Sequence, residues 1–189
     1  KKVVVMGVAN KRSIAWGCAQ ALKRNKVLKS SITYQKRTHE KNLLKRLLEE
    51  NEYTVECDVA NDESIAKAFE TIKDYAGEIH GVVHAVAYAN KDDLSGDILN
   101  ISRDGYALAQ DISSYSLIAV TKYAKPLLAE NAGIVTLTYL GSERAVPNYN
   151  MMGIAKAALE SSVRYLAAEL SPQKSGSTPS LQAQSKHWL

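Results

Sequence analysis

Tyr149 and Lys156 stand seven residues apart in "PNYNMMGIAKAALE", about two turns of an α-helix, so both project from one helical face toward a common ligand. A phenol can donate a hydrogen bond to a developing oxyanion, and a nearby ammonium lowers the cost of negative charge there. Alone, such a pair is no more than two side chains on a helix; its meaning depends on the fold around it. Three other stretches bear on that. "MGVANKRSIAWG" puts Gly7 in a tight turn and opens a helix at Ser13 and Ile14, whose free amides can hold a pyrophosphate. Its spacing is not G-x-G-x-x-G, so an ordinary loop is the alternative. "ECDV" carries Asp58, able to accept from an adenine amino group, and "HAVAYAN" carries small Ala85 and Ala87, beside which a flat ring or ribose can approach the backbone. Packing is the alternative for each.

The elements that must position these residues are legible in the hydrophobic pattern. "KKVVVMG" is a short β-branched run ending in Gly, as a buried parallel strand should be. "SIAWGCAQALKR" then sets Ile14, Ala15, Cys18, Ala21 and Leu22 on one helical face. The unit recurs. "YTVECDV" precedes a helix from about Asp62 to Tyr75, "IHGVVHAVA" precedes a long crossover, and "GIVTLTYL" precedes a helix from about Asn148 to Leu170. Strand–helix alternation of this kind predicts an α/β, Rossmann-type doubly wound parallel sheet with helices on both faces. In such a sheet ligands bind beyond the carboxyl ends of the strands, which is where all four stretches fall.

Composition narrows the function. With 189 residues, 46% of them hydrophobic and 23% charged, the chain suits one soluble domain. The net charge of +4 is scattered through groups such as Lys23, Arg24 and Lys26 and the segment from Lys36 to Lys45, with no aromatic interleaving, so no nucleic-acid partner is expected. His39, His80, His84 and His187 lack ligand spacing, and no metal is expected. Cys18 and Cys57 form neither a metal set nor a disulfide framework and read as buried thiols. No signal-like succession and no membrane-length apolar run is present, so a cytoplasmic location is expected.

Together, "MGVANKRSIAWG", "CDVANDESI", "HAVAYANKDDL", "RDGYALAQDISSYSL" and "LTYLGSERAVPNYNMMGIAKAALE" resemble the bacterial enoyl-acyl-carrier-protein reductases of the short-chain dehydrogenase/reductase superfamily, from Lys1 to about Gln173. The superfamily at large separates its Tyr and Lys by three residues. Here six intervene, which favours the enoyl reductase branch. The resemblance implies reduction of a trans-2-enoyl thioester by a reduced nicotinamide cofactor, with Tyr149 hydrogen-bonding the thioester oxygen, Lys156 holding the nicotinamide ribose and Tyr139 lining the acyl site. It implies Gly7, Ser13, Ile14, Asp58, Val59, Ala87 and Lys156 as cofactor positions, an enoyl-acyl carrier protein as substrate, and a homotetramer pairing "DISSYSLIAVTKYAKPLLAE" and "KAALESSVRYLAAEL" as interface helices, with simple core packing as the alternative for their apolar faces. After strand two, Gln35, Lys36, Arg37 and Thr38 precede any acid, which tilts toward NADPH. The segment is one residue short of the family pattern, and NADH and NADPH both stay open.

The tail departs from all this. Lys174 to Leu189, "KSGSTPSLQAQSKHWL", has no hydrophobic period, where the family carries a strand and loop reading approximately "IRVNAISAGPIKTLA". Codons can be written for the tail that yield "KIRVNAISAGPIKTLA" once a single A is restored. The expectation is therefore a reductase domain over residues 1–173, incomplete at both ends, with an out-of-frame tail over 174–189 and the sixth strand missing or replaced. A weaker instance lies at "NKVLKSSITY", which hides "GAKVIY" out of frame. The alternative to an enzyme is a truncated, non-catalytic remnant that binds nucleotide or pairs with an intact copy.

Overall fold

The computed structural model of the chain describes residues 1–25, 29–34, 53–170 and 180–185. Six parallel strands, β1 (Lys2–Met6), β2 (Lys29–Tyr34), β3 (Tyr53–Glu56), β4 (Ile79–His84), β5 (Leu128–Thr138) and β6 (Ser180–Ser185), form one sheet in the order β3-β2-β1-β4-β5-β6. The order reverses between β1 and β4, and a crevice opens beyond their carboxyl ends there. The helices are α1 (Ile14–Arg24), α2 (Asp62–Ala76), α3 (Arg103–Gln110), α4 (Ser116–Ala124) and α5 (Asn150–Leu170), with a π-helical turn, Asp111–Tyr115, joining α3 to α4.

The valines of β1 explain why helices cover both faces. Successive strand side chains point to opposite sides. Val4 and Met6 enter a core with Ile65, Phe69 and Ile72 of α2, Leu117 and Val120 of α4 and Leu159 of α5. Val5 enters a second core with Ile32 of β2 and Ala15 and Ala19 of α1. The spacing of Ile65, Ala68, Phe69, Ile72 and Ala76 makes α2 amphipathic. Asn61 caps it by accepting from Ser64 N at 2.8 Å, and Gly77, at φ 70°, ends it.

Three expectations are corrected, and of the two outcomes expected for the sixth strand one is observed. The helix expected from Asn148 begins at Asn150, because Asn148 takes φ 60° and turns the chain first. The helix expected to run on to Glu130 stops at Ala124. Pro126 follows in a short 3₁₀ turn, Lys125–Leu127, and Leu128 to Glu130 open β5 instead. On α1, Ala15 and Ala19 are buried, while Ile14 is 53% exposed and Cys18 only half-buried. The sixth strand, expected to be missing or replaced, is formed by Ser180–Ser185, parallel to β5 from Gly133↔Ser180 to Thr138↔Ser185. The segment Gln35–Thr38, His39 and His187 lie outside the described residues.

Candidate active site

The crevice begins at the turn after β1. Gly7 sits at φ +90°, and a Cβ there would lie 2.1 Å from Ala85 O, so only glycine lets this turn touch the one after β4. Ala85 N donates to Met6 O at 3.2 Å across the same contact. Ser13 then caps α1: its Oγ accepts from Trp16 N at 3.3 Å and donates to Asn10 O at 2.7 Å. Ile14, next in the chain, turns its exposed side chain to the wall of a cavity of about 670 Å³. That is the physical reason it is not in the core.

The same cavity is lined by Gly7, Ser13, Ala87, Tyr139, Tyr149 and Lys156, so seven of the nine site residues named above, counting Ile14, face one cavity. A second cavity, about 500 Å³, meets it at Gly7, Ala85, Val86 and Ala87 and runs past Val59 toward Thr33 and Cys57. Asp58 lines neither. It sits at the same sheet edge, where its Oδ1 accepts from Ala60 N at 3.1 Å and its own N–H donates to Ser64 Oγ at 2.9 Å. Burial, and then the charge of Asp58, push the Cys57 thiol up to about 12, so it is no nucleophile.

Tyr149 is the residue immediately before α5, and its carbonyl accepts the first helical bond, from Gly153 N at 2.8 Å. Its ring meets the edge of Tyr139, with centroids 4.8 Å apart and planes at 66°. A Cβ on Gly141 would fall 2.4 Å from Tyr149 Cδ1, and one on Gly153 would fall 2.8 Å from Gly141 O. Two glycines thus let the turn after β5 close over the tyrosine. Burial, then the neighbouring Tyr139, raise the Tyr149 phenol to about 12, so it keeps its proton at neutral pH. Lys156 is buried and donates to Leu137 O at 2.8 Å. Burial lowers it to about 8, against the opposing pull of Glu160. The arrangement offers a proton-bearing phenol and an ammonium on one wall and exposed backbone on the other. It can bind a flat or anionic ligand and stabilise negative charge beside it.

Several supporting residues were not legible in the sequence. His84 is fully buried, with Nδ1 3.0 Å from Thr136 Oγ1 and Nε2 2.8 Å from Ser116 Oγ. Thr136 Oγ1 has His84 O as a second acceptor at 3.1 Å and Ser116 Oγ has Ile112 O at 2.7 Å, so the neutral ring donates its one N–H to one of these hydroxyls and can accept from the other. Burial, then the charge of Lys156, hold this histidine down at about 3, and it stays neutral. Ser113, on the π-helical turn, binds both backbone groups of Tyr88: it accepts from N at 2.8 Å and donates to O at 2.7 Å. The signal for these was a run of small hydroxyl residues, "DISSYS", facing a strand end. No cluster of His, Cys, Asp and Glu able to hold a metal occurs among the described residues.

Comparison with known proteins agrees with this geometry. Residues 7–175 match the profile of the family described as Enoyl-(Acyl carrier protein) reductase. The chain is 64% identical over 174 residues to the Enterococcus faecalis Enoyl-[acyl-carrier-protein] reductase [NADH] FabI, covering 92% of this chain and 69% of that protein. It is 48% identical over 175 residues to the NADPH counterpart of Staphylococcus aureus, covering 91% and 68%. The crystal structure of the Bacillus cereus enoyl-acyl carrier protein reductase with NADP+ and indole naphthyridinone superposes with a TM-score of 0.86 at 48% identity, covering 98% of this chain and 70% of that one. Profile, sequence and backbone agree over most of the chain, and it belongs to the enoyl-acyl-carrier-protein reductase family of the short-chain dehydrogenase/reductase superfamily.

Proposed function

We propose that this chain reduces the double bond of a trans-2-enoyl thioester carried by an acyl carrier protein, with Tyr149, Lys156 and Tyr139 as its reacting-site residues. The observation that carries this reading is the shared cavity wall of Tyr149, Lys156 and Tyr139, opposite the Gly7 turn and the start of α1. The cradle at Gly7, which a Cβ would fill, fits a dinucleotide whose pyrophosphate lies against backbone amides. Gly7, Ser13, Ile14, Val59, Ala87 and Lys156 hold it, with Asp58 beside the adenine end. When bound, the reduced nicotinamide of NADH or NADPH supplies the hydride that the β-carbon of the thioester accepts. Tyr149 donates a hydrogen bond to the thioester oxygen as charge develops there, the Lys156 ammonium holds the ribose and favours that charge, and a proton from solvent taken up at the α-carbon completes the reduction. Tyr139 lines the acyl side near the double bond.

The sign of the pH dependence follows from the lysine. Lys156 is cationic below about 8 and loses its charge as the pH rises through that value, so turnover is expected on the acid side and to fall above about 8. Tyr149, raised to about 12, does not titrate in this range.

Loss of reduced-nicotinamide absorbance with an enoyl thioester tests the reading. Tyr149→Phe is expected to lower kcat about 10²- to 10³-fold, as loss of an oxyanion donor does. Reduction of simple ketones in place of enoyl thioesters would sink it. Nucleotide binding without turnover would instead favour the remnant reading, with 1–173 as an incomplete reductase domain and 174–189 as an out-of-frame tail; resequencing the codons of the tail decides that point. No helix among the described residues is long and apolar enough to cross a membrane, in keeping with a cytoplasmic enzyme. Exposed Tyr106, Tyr115, Ile118 and Tyr165 on α3, the π-helical turn, α4 and α5 support self-association, for which the tetramer of the family is the reference.

A further inference from the structure

The turn that carries Tyr139 is gripped from α5 by two residues one helical turn apart. Lys156 Nζ donates to Leu137 O at 2.8 Å. Glu160 takes two hydroxyls on a single oxygen: Thr138 Oγ1 and Ser142 Oγ donate to its Oε1 at 2.5 and 2.6 Å. These hydroxyls bracket Tyr139 in the sequence. Ser142 has one proton to give, and Tyr139 O lies at 2.9 Å as the competing acceptor. A carboxylate is the stronger acceptor, so the proton goes to Glu160 and the turn is tied to the helix rather than to itself.

We propose that Glu160 is a positioning residue of the reductase site, holding the Tyr139 turn against α5 and so fixing where Tyr139 meets Tyr149. The proposal rests on the reductase reading above. Its geometry has an electrostatic counterpart at Lys156. Facing the same cavity as Lys156 are Tyr149 just before α5, Tyr139 on the turn and Cys18 on the α1 wall, and His84 on β4 lies within electrostatic reach of the ammonium. His84 and Tyr149 stay neutral at neutral pH. Glu160 opposes the effect of burial by raising the lysine. One carboxylate therefore serves both the acyl-side tyrosine and the cation.

Two variants separate this role from that of a simple tertiary staple. Glu160→Gln keeps an oxygen for both hydroxyls and loses the charge; Glu160→Ala loses both. The measurements are KM for the enoyl thioester and for the reduced cofactor, thermal midpoint, and the pH midpoint of Lys156 acylation followed by mass spectrometry. With Gln, the enoyl KM is expected to stay within about twofold and the Lys156 midpoint to fall by about half a unit. With Ala, the midpoint falls likewise, and the enoyl KM rises about tenfold while the cofactor KM stays within about twofold. A loss of thermal stability alone, with wild-type KM and an unmoved Lys156 midpoint in both variants, would overturn the proposal. A wild-type chain that turns over no enoyl thioester sinks the reductase reading by itself, and the Lys156 midpoints then still show whether Glu160 is coupled to the cavity.

Discussion

The two walls of the crevice are built by different physics. The α1 wall is held by apolar packing of Val5, Val8, Ala15, Ala19 and Ile32, and its polar groups are the backbone and the cap at Ser13. The opposite wall, from β4, β5 and α5, is cross-linked by buried or half-buried side-chain hydrogen bonds: His84 with Thr136 and Ser116, Lys156 with Leu137, Glu160 with Thr138 and Ser142. A wall that presents backbone to a pyrophosphate needs only the right shape. One that must hold a proton donor and a cation in register needs directional bonds, because a displacement of about 1 Å at such groups costs on the order of 10²-fold in rate.

Substitutions can break or sharpen this contrast. The largest effect is expected where shape alone rules. Gly7→Ala puts a Cβ against the Ala85 carbonyl at a positive φ and should cost about 3–4 kcal/mol in chemical denaturation; a loss under 1 kcal/mol would show that the first wall is not set by close approach. On the other wall, Gly141→Ala pushes on Tyr149 and should lower kcat about 10²-fold, or ~2.7 kcal/mol, with nucleotide affinity unchanged.

His84 supplies a pH test of the buried bonds. Its folded-state value, about 3, lies below the ordinary 6.5, so the unfolded chain binds the extra proton between these values. The stability it contributes is present above 6.5 and is lost as the pH falls toward 3. Between pH 7 and 5 that loss amounts to about 2 kcal/mol. Urea melts of His84→Gln should lack this increment; an equal acid loss in the variant would remove His84 from the account. Last, Ser13→Ala removes a helix cap and should cost about 1 kcal/mol, and a much larger cost would mean that the α1 wall too depends on directional bonds.

The sequence carried the first wall better than the second. Strands such as "KKVVVMG" and the α2 face were readable because their periods are local, and Tyr149 and Lys156 because their spacing is helical. Glu160 was not, since its partners lie 22 and 18 residues away, and His84 bonds Thr136 across 52; nothing in a linear pattern announces such pairs. Periodicity sets Ile14 on the apolar stripe of α1 and only the resemblance marks it as a cofactor position, because a ligand-facing residue obeys the cavity and not the helix stripe. The start of α5 was missed by two residues because Asn tolerates the left-handed conformation that Asn148 adopts.

The strand at the sheet's edge has a bearing on how proteins of this kind change over generations. β6 joins β5 through main-chain groups, and main-chain groups are the same whatever the side chains. A slot that reads only the backbone asks for little information from the gene. A segment of altered sequence, provided it has enough length and no proline at a bonding position, can still be taken up there and cover the exposed edge of β5. Variation is therefore best tolerated in β6 and least in the turns at Gly7 and Gly141, where single atoms decide.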